Sequence, residues 1–189
     1  MKQMTVEELM IPLEEYATVS EEATLKEAVL ELERAQAEFG QEDKKQYLHR
    51  ALLVYDPDHG HITGKLSQLD VLKALEPKYA KMTASGPLGR IATSGLSASY
   101  LLSMLKQNNL FDQPLSDICR KAAGLKVKDC MYIPLEGEFI RAQDNMSRAI
   151  HQLVMGNHHS LLVLKDDKIV GILRLVDVFY KICQEIKKI

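Results

Sequence analysis

The sequence repeats itself, and a repeat decides architecture before any single motif does, because each unit has an apolar face that it cannot cover alone. Val6, Leu9 and Met10 return as Val127, Cys130 and Met131, and Leu25, Ala28, Val29 and Leu32 return as Met146, Ala149, Ile150 and Leu153, in each case 121 residues later. Further along, Leu52, Leu53 and Val54 match Leu161, Leu162 and Val163 at a spacing of 109. The stretch ITGKLSQLDVL at 62–72 then matches IVGILRLVDVF at 169–179 at a spacing of 107. Two length changes separate the copies. Copy one carries 12 more residues between Leu32 and Ala51, and two more in the turn between Val54 and Ile62.

Both copies carry the same sequence periods. After an extended lead, TLKEAVLELERA sets Leu25, Ala28, Val29 and Leu32 on one helical face, with Thr24 as the expected N-cap. ALLVY is a short apolar strand, closed by the turn residues Asp56 to Gly60 and followed by a second strand at HITGKL, which makes a hairpin. SQLDVLKAL opens a helix that Pro77 ends, and its counterpart in copy two runs helical to the C-terminus. The expected order per copy is strand, helix, strand, strand, helix. The fold class is therefore α/β, as tandem β-α-β-β-α repeats over 1–75 and 126–189 with a helical insert at 76–125. Within the insert, Ser97 should cap a helix carrying Leu101, Leu102 and Leu105. Asp112 should cap a second, with Leu115, Ile118, Cys119 and Ala122 on one face. Thr83 to Gly95, rich in small and hydroxyl residues, reads as a loop.

Composition narrows the function classes. With 24 basic against 26 acidic side chains in 189 residues, no excess positive charge exists to hold nucleic acid or an anionic membrane, so any anion must be met locally. The three cysteines are odd in number and far apart, which suggests neither a disulfide framework nor a CxxC zinc site and fits a reducing cytoplasm. No apolar run is long enough for a signal peptide or a membrane span. GxSxG, P-loop, GxGxxG and HExxH motifs are all missing, so the expectation is a protein that is not an enzyme.

A duplicated unit that opens with VxxxM and closes with Gly64-x-x-Ser67-x-x-Asp70, and in copy two with Gly171-x-x-Arg174-x-x-Asp177, resembles a pair of CBS (cystathionine β-synthase) domains, the Bateman module. The resemblance covers about 5–75 and 126–182 and leaves the insert outside. It implies two copies packed about a pseudo-twofold axis, with clefts that in many members take adenosine compounds such as AMP, ADP, ATP or S-adenosylmethionine, and a regulatory role needing no cofactor. It also implies a homodimer and an output passed to another, unidentified protein.

By the same resemblance, Asp70 and Asp177 would hold ribose hydroxyls, and Ser67 would lie near the phosphate where copy two has Arg174 instead. His49 and Arg50 before ALLV, and His158 and His159 before SLLV, would grip phosphates. Physical chemistry agrees: a carboxylate accepts both hydroxyls of a cis-diol, a helix N-terminus offers free N–H groups, and a guanidinium is a planar fork for phosphate oxygens. Plainer readings exist for the same residues. Ser67 and Asp70 also spell a capping box, and His49 and Arg50 could be a solvated lead into a strand. His158 and His159, even with His151, should not share a metal, since neighbours on a strand point to opposite faces. His59 and His61 should be exposed in their turn, and Met131, Met146 and Met155 should be core.

Overall fold

A computed structural model describes residues 4–39, 50–79 and 96–189; His49 and the Thr83–Gly95 loop fall outside them. Copy one supplies β1 (Ile11–Pro12), β2 (Thr18–Ser20), α1 (Leu25–Phe39), β3 (Ala51–Tyr55), β4 (Ile62–Ser67) and α2 (Gln68–Ala74). The insert adds α3 (Ala98–Gln107) and α4 (Leu115–Ala122). Copy two supplies α5 (Val127–Cys130), β5 (Phe139–Arg141), α6 (Met146–Gly156), β6 (Ser160–Lys165), β7 (Lys168–Arg174) and α7 (Leu175–Ile186). Thr24 begins α1 with a capping box, its backbone N–H donating to Glu27 Oε2 at 2.7 Å and its Oγ1 accepting from the Glu27 N–H.

The strands form two sheets, ordered β2-β3-β4 and β1-β7-β6-β5. In each copy a parallel pair (β2 with β3, β5 with β6) follows a helical crossover, and an antiparallel hairpin completes the unit. The pairings obey the repeat. Isolated bridges join Thr5 to Asn145 and Thr24 to Lys126, counterparts at the spacing of 121. Ile11 pairs with Ile172 in one copy's sheet while Tyr132 bridges Lys65 in the other. This is a pseudo-twofold arrangement.

Its consequence for packing is an exchange of leads. The VxxxM openings are helical turns and not strands, because their N–H groups are spent on the opposite copy. Val6 and Glu7 donate to the carbonyls of Asp144 and Ala142, and Val127 and Lys128 donate to those of Ala23 and Glu21, all between 2.9 and 3.0 Å. Val6 is buried among Ile140, Ala149, Leu161 and Val163 of copy two, and Val127 among Val19, Ala28, Leu52 and Val54 of copy one. Both valines have no exposed surface, so each burial contributes roughly 1.5–3 kcal/mol to joining the halves. A third cluster, Ile11, Tyr16, Leu53, Leu162 and Ile172, fills the space between the sheets.

The glycine of each motif has a steric reason in this exchange. A Cβ on Gly171 would sit 2.4 Å from the Ile11 carbonyl oxygen, and one on Gly64 would sit 2.7 Å from Met131 Sδ and 2.9 Å from the Tyr132 oxygen. The crossing lead leaves no room for a side chain.

Ser97 caps α3 by accepting from the Tyr100 N–H, as its position suggests. The insert departs from expectation in detail. Pro114, not Asp112, occupies the α4 N-cap, since Pro needs no N–H partner there. Leu101, Leu102 and Leu105 are exposed, and on α4 only Ile118 and Ala122 are buried, leaving Leu115 and Cys119 in solvent. Buried Glu76 accepts from the N–H groups of Lys78 and Phe111 and so fastens the end of α2 to the insert. Met131 and Met146 pack against the cores, but Met155 is exposed. It lies two residues past buried Leu153, about 200° around the helix and thus on the far face.

Candidate functional site

At the junction of β4 and α2, Ser67 and Asp70 form a complete capping box. Ser67 Oγ accepts from the Asp70 N–H at 3.3 Å, and Asp70 Oδ2 accepts from Ser67 N at 3.0 Å and from Ser67 Oγ at 2.5 Å. The other oxygen, Oδ1, meets the Lys73 ammonium at 3.3 Å. Lys73 is more than half exposed, so this second contact is a solvent-facing one, whereas Asp70 itself is buried. Arg50 joins the group through the backbone: its carbonyl accepts from Gln68 N at 3.2 Å, which places an exposed guanidinium-bearing residue beside Ser67.

Copy two repeats the frame with different chemistry. His159 stands where Arg50 does, its carbonyl accepting from Leu175 N at 2.9 Å. Asp177 is gripped by its own motif residue, Arg174 donating from Nε to Oδ2 at 2.6 Å and from Nη2 to Oδ1 at 2.7 Å. That fork–fork pair engages both carboxylate oxygens, and Arg174 is buried. His158 lies apart from these groups, over the end of α6, where its Nε2 is 2.0 Å from the position a Cβ on Gly156 would take. Arg50, Ser67 and Asp70 thus gather at one end, and His159, Arg174 and Asp177 at the other.

Three residues beside Asp70 escape a motif search. Lys65 forms an ion pair with Glu138, a residue only 4% exposed, and Tyr132 donates to Glu138 Oε1 at 2.5 Å. Burial pushes the Glu138 carboxyl up, but the hydrogen bonds from Lys65, Tyr132 and the Leu135 N–H outweigh it and hold the group below its ordinary value. The Tyr132 hydroxyl is pushed up to about 12, chiefly by loss of solvent, then by Glu138 and by the nearby Asp70 charge. The place related by the repeat holds Ile172, Ala17 and Ile11 and no charge. There, Tyr16 is pushed up to about 12 by burial, with Arg174 lowering it and Asp177 raising it. The signal was present in the sequence as a difference between copies: at matched positions, Lys65 replaces Ile172 and Glu138 replaces Ala17.

Two exchanged β-α-β-β-α repeats, each ending in a Gly-x-x-x-x-x-Asp junction at the start of its last helix, define a tandem-repeat α/β module. The CBS domain sequence profile matches residues 6–77 and 127–183, and the chain belongs to the CBS domain family. Among solved structures, CBSX2 in complex with AMP is similar over 96% of this chain and 97% of that one, at 19% identity and a TM-score of 0.57. The CBS domain of the bacterial CNNM/CorC family Mg2+ transporter, in complex with ATP, matches over 95% and 87% at 15% identity and 0.58. A CBS domain-containing protein from Kribbella flavida matches over 95% and 98% at 18% identity and 0.56. At such identities the likeness is one of fold. A search of curated proteins finds no match. No helix among the described residues is long and apolar enough to cross a membrane.

Proposed function

We propose that this chain is a ligand-responsive regulatory module, not a catalyst, that seats an adenine nucleotide or related adenosine compound at copy one. The observation that carries this reading is the grouping of Arg50 with a buried Asp70 whose Oδ1, among the described residues, meets only an exposed lysine. Oδ1 can accept a ribose hydroxyl in exchange for Lys73, while Ser67 keeps Oδ2 oriented. Arg50, with His49 ahead of it, meets the phosphates. The CBS relatives solved with AMP and ATP make this ligand class the natural one. At copy two, His159, Arg174 and Asp177 form a second seat that opens when Arg174 turns from Asp177 to a phosphate, while His158 stands apart from it over the end of α6. Leu69 and Leu72 on α2, with Phe179 and Ile182 on α7, leave apolar side chains exposed. Through them the chain forms a homodimer that signals to another protein in the cytoplasm.

A ligand-free scaffold is the second reading, favoured by the fact that each motif carboxylate already has partners within the chain. A thermal-shift panel of AMP, ADP, ATP, S-adenosylmethionine and adenosine separates the two. A ligand at roughly one hundred times its Kd adds about 2.7 kcal/mol, or about 5 to 11 °C in Tm for a chain of this size. Asp70→Ala should abolish the rise, and Arg50→Ala should weaken nucleotides far more than adenosine. Flat curves across the panel, checked by calorimetry, leave the scaffold.

A further inference from the structure

The hairpin between β3 and β4 holds chemistry that neither the fold nor nucleotide binding uses. Copy two closes the same hairpin with two residues, Asp166 and Asp167, both in the left-handed conformation at φ 50° and 58°. Copy one spends a longer loop, Pro57 to Gly60, on the same task, with Gly60 at φ 66° and the Asp56 N–H donating to the His61 carbonyl at 2.9 Å. The extra residues are therefore not needed for closure. What they add is His59, set against Asp56 and His61, the two residues that flank the loop.

We propose that this turn binds a zinc-class divalent cation through Asp56, His59 and His61. One ligand atom from each of the three lies within 4.8 Å of the other two. With bonds of about 2.0–2.2 Å, tetrahedral zinc wants its ligands roughly 3.3 Å apart, a closure within reach of exposed side-chain rotation. Asp56 is already oriented for it. Its Oδ1 accepts from the N–H groups of Asp58 and His59 at 2.8 and 3.3 Å, which fixes the carboxylate and aims Oδ2 at His59 Nδ1, 2.7 Å away. Such outer hydrogen bonds are what hold a ligating carboxylate in place. The two imidazole rings lie with centroids 5.9 Å apart, tilted by 58°. Glu21 and Glu22 are engaged with Thr63 and Lys128, and the cluster itself would supply three protein ligands and leave a fourth position to water. Two imidazoles and one carboxylate select zinc and its late first-row neighbours over magnesium or calcium, which want oxygen alone.

The test is a titration of the full chain with Zn2+ against a chromophoric zinc chelator, without nucleotide. One zinc per chain should bind, undiminished by millimolar Mg2+. His59→Ala and His61→Ala should each weaken binding at least tenfold. A variant whose Pro57–Gly60 loop is replaced by the Asp-Asp turn of copy two should lose it while keeping the fold by circular dichroism. His151→Gln and His159→Gln should leave it unchanged. Zinc uptake that survives in the turn-replacement variant, or that falls equally with His159→Gln, overturns the assignment, as does the absence of uptake by the unaltered chain.

Discussion

The Lys65–Glu138 pair can be removed in two ways whose energetic outcomes differ sharply. Replacing Lys65 by Met leaves the Glu138 carboxylate buried, with only the Tyr132 hydroxyl and the Leu135 N–H still donating to it. Breaking a buried pair from one side costs about 3–5 kcal/mol. The two surviving hydrogen bonds put Lys65→Met near the lower figure, about 3 kcal/mol, or a Tm drop of about 6 to 12 °C. Glu138→Leu strands a lysine whose side chain is 11% exposed, with the Tyr132 ring centroid 5.5 Å away as partial compensation, and should cost about the same. The double variant removes both charges and imitates the apolar solution that Ile172 and Ala17 provide at the matched place, so it should return to within about 1 kcal/mol of the native chain. Urea and thermal unfolding of the four proteins at neutral pH give the coupling energy directly. Glu138 also fixes the pH signature: its folded pKa lies below the ordinary 4.5, so its stabilisation is present above that value and lost as pH falls through the lowered one. Glu138→Leu should flatten that acid limb. Singles that cost under about 1 kcal/mol, or a double equal to their sum, would refute the reasoning.

Other expectations follow from the same geometry. Tyr16, pushed up to about 12, contributes stability that is complete below pH 10 and lost as pH rises towards 12, about 3 kcal/mol in all; Tyr16→Phe should remove that alkaline loss in melts at pH 8 and 11.5, and an unchanged profile would count against it. Gly171→Ala drives a methyl onto a backbone oxygen, whereas Gly64→Ala first meets the movable Met131 thioether. Overpacking of this kind costs about 1–3 kcal/mol or more, and denaturation curves should rank Gly171→Ala the worse. Arg174→Ser takes away the guanidinium that the second seat turns towards phosphate, so calorimetry should find nucleotide bound at copy two far more weakly than in the native chain while adenosine is affected little; an unchanged nucleotide affinity there would refute that role for Arg174.

The repeat made the order of elements legible, because the period-2 strands and period-3.6 helices recur with the same offsets and each copy corroborates the other. Asp70 and Arg50 were equally legible, since backbone pairing across β3 and β4 carries them together. The exchange of leads was not. Val6 and Val127 look like ordinary apolar residues, and nothing local says that each is buried in the other copy. For the same reason Tyr132 and Glu138 went unnoticed beside Asp70: they come from copy two, and only the tertiary crossing puts them there. Arg174 was visible as a departure from the motif, but its grip on Asp177 depends on a rotamer.

The crossing leads also bear on how the chain comes off the ribosome. Copy one cannot complete its core until Val127 has emerged, and β1 waits for β7, whose Ile172 pairs with Ile11 across nearly the whole sequence. Contacts this distant slow folding, since loop closure precedes any reward. Until β7 has been made, both halves present unfinished apolar faces, the condition under which nascent chains aggregate or pair with a neighbour's matching segment. Severing the chain within the insert should therefore yield two fragments that are each unfolded alone and that regain structure only when mixed.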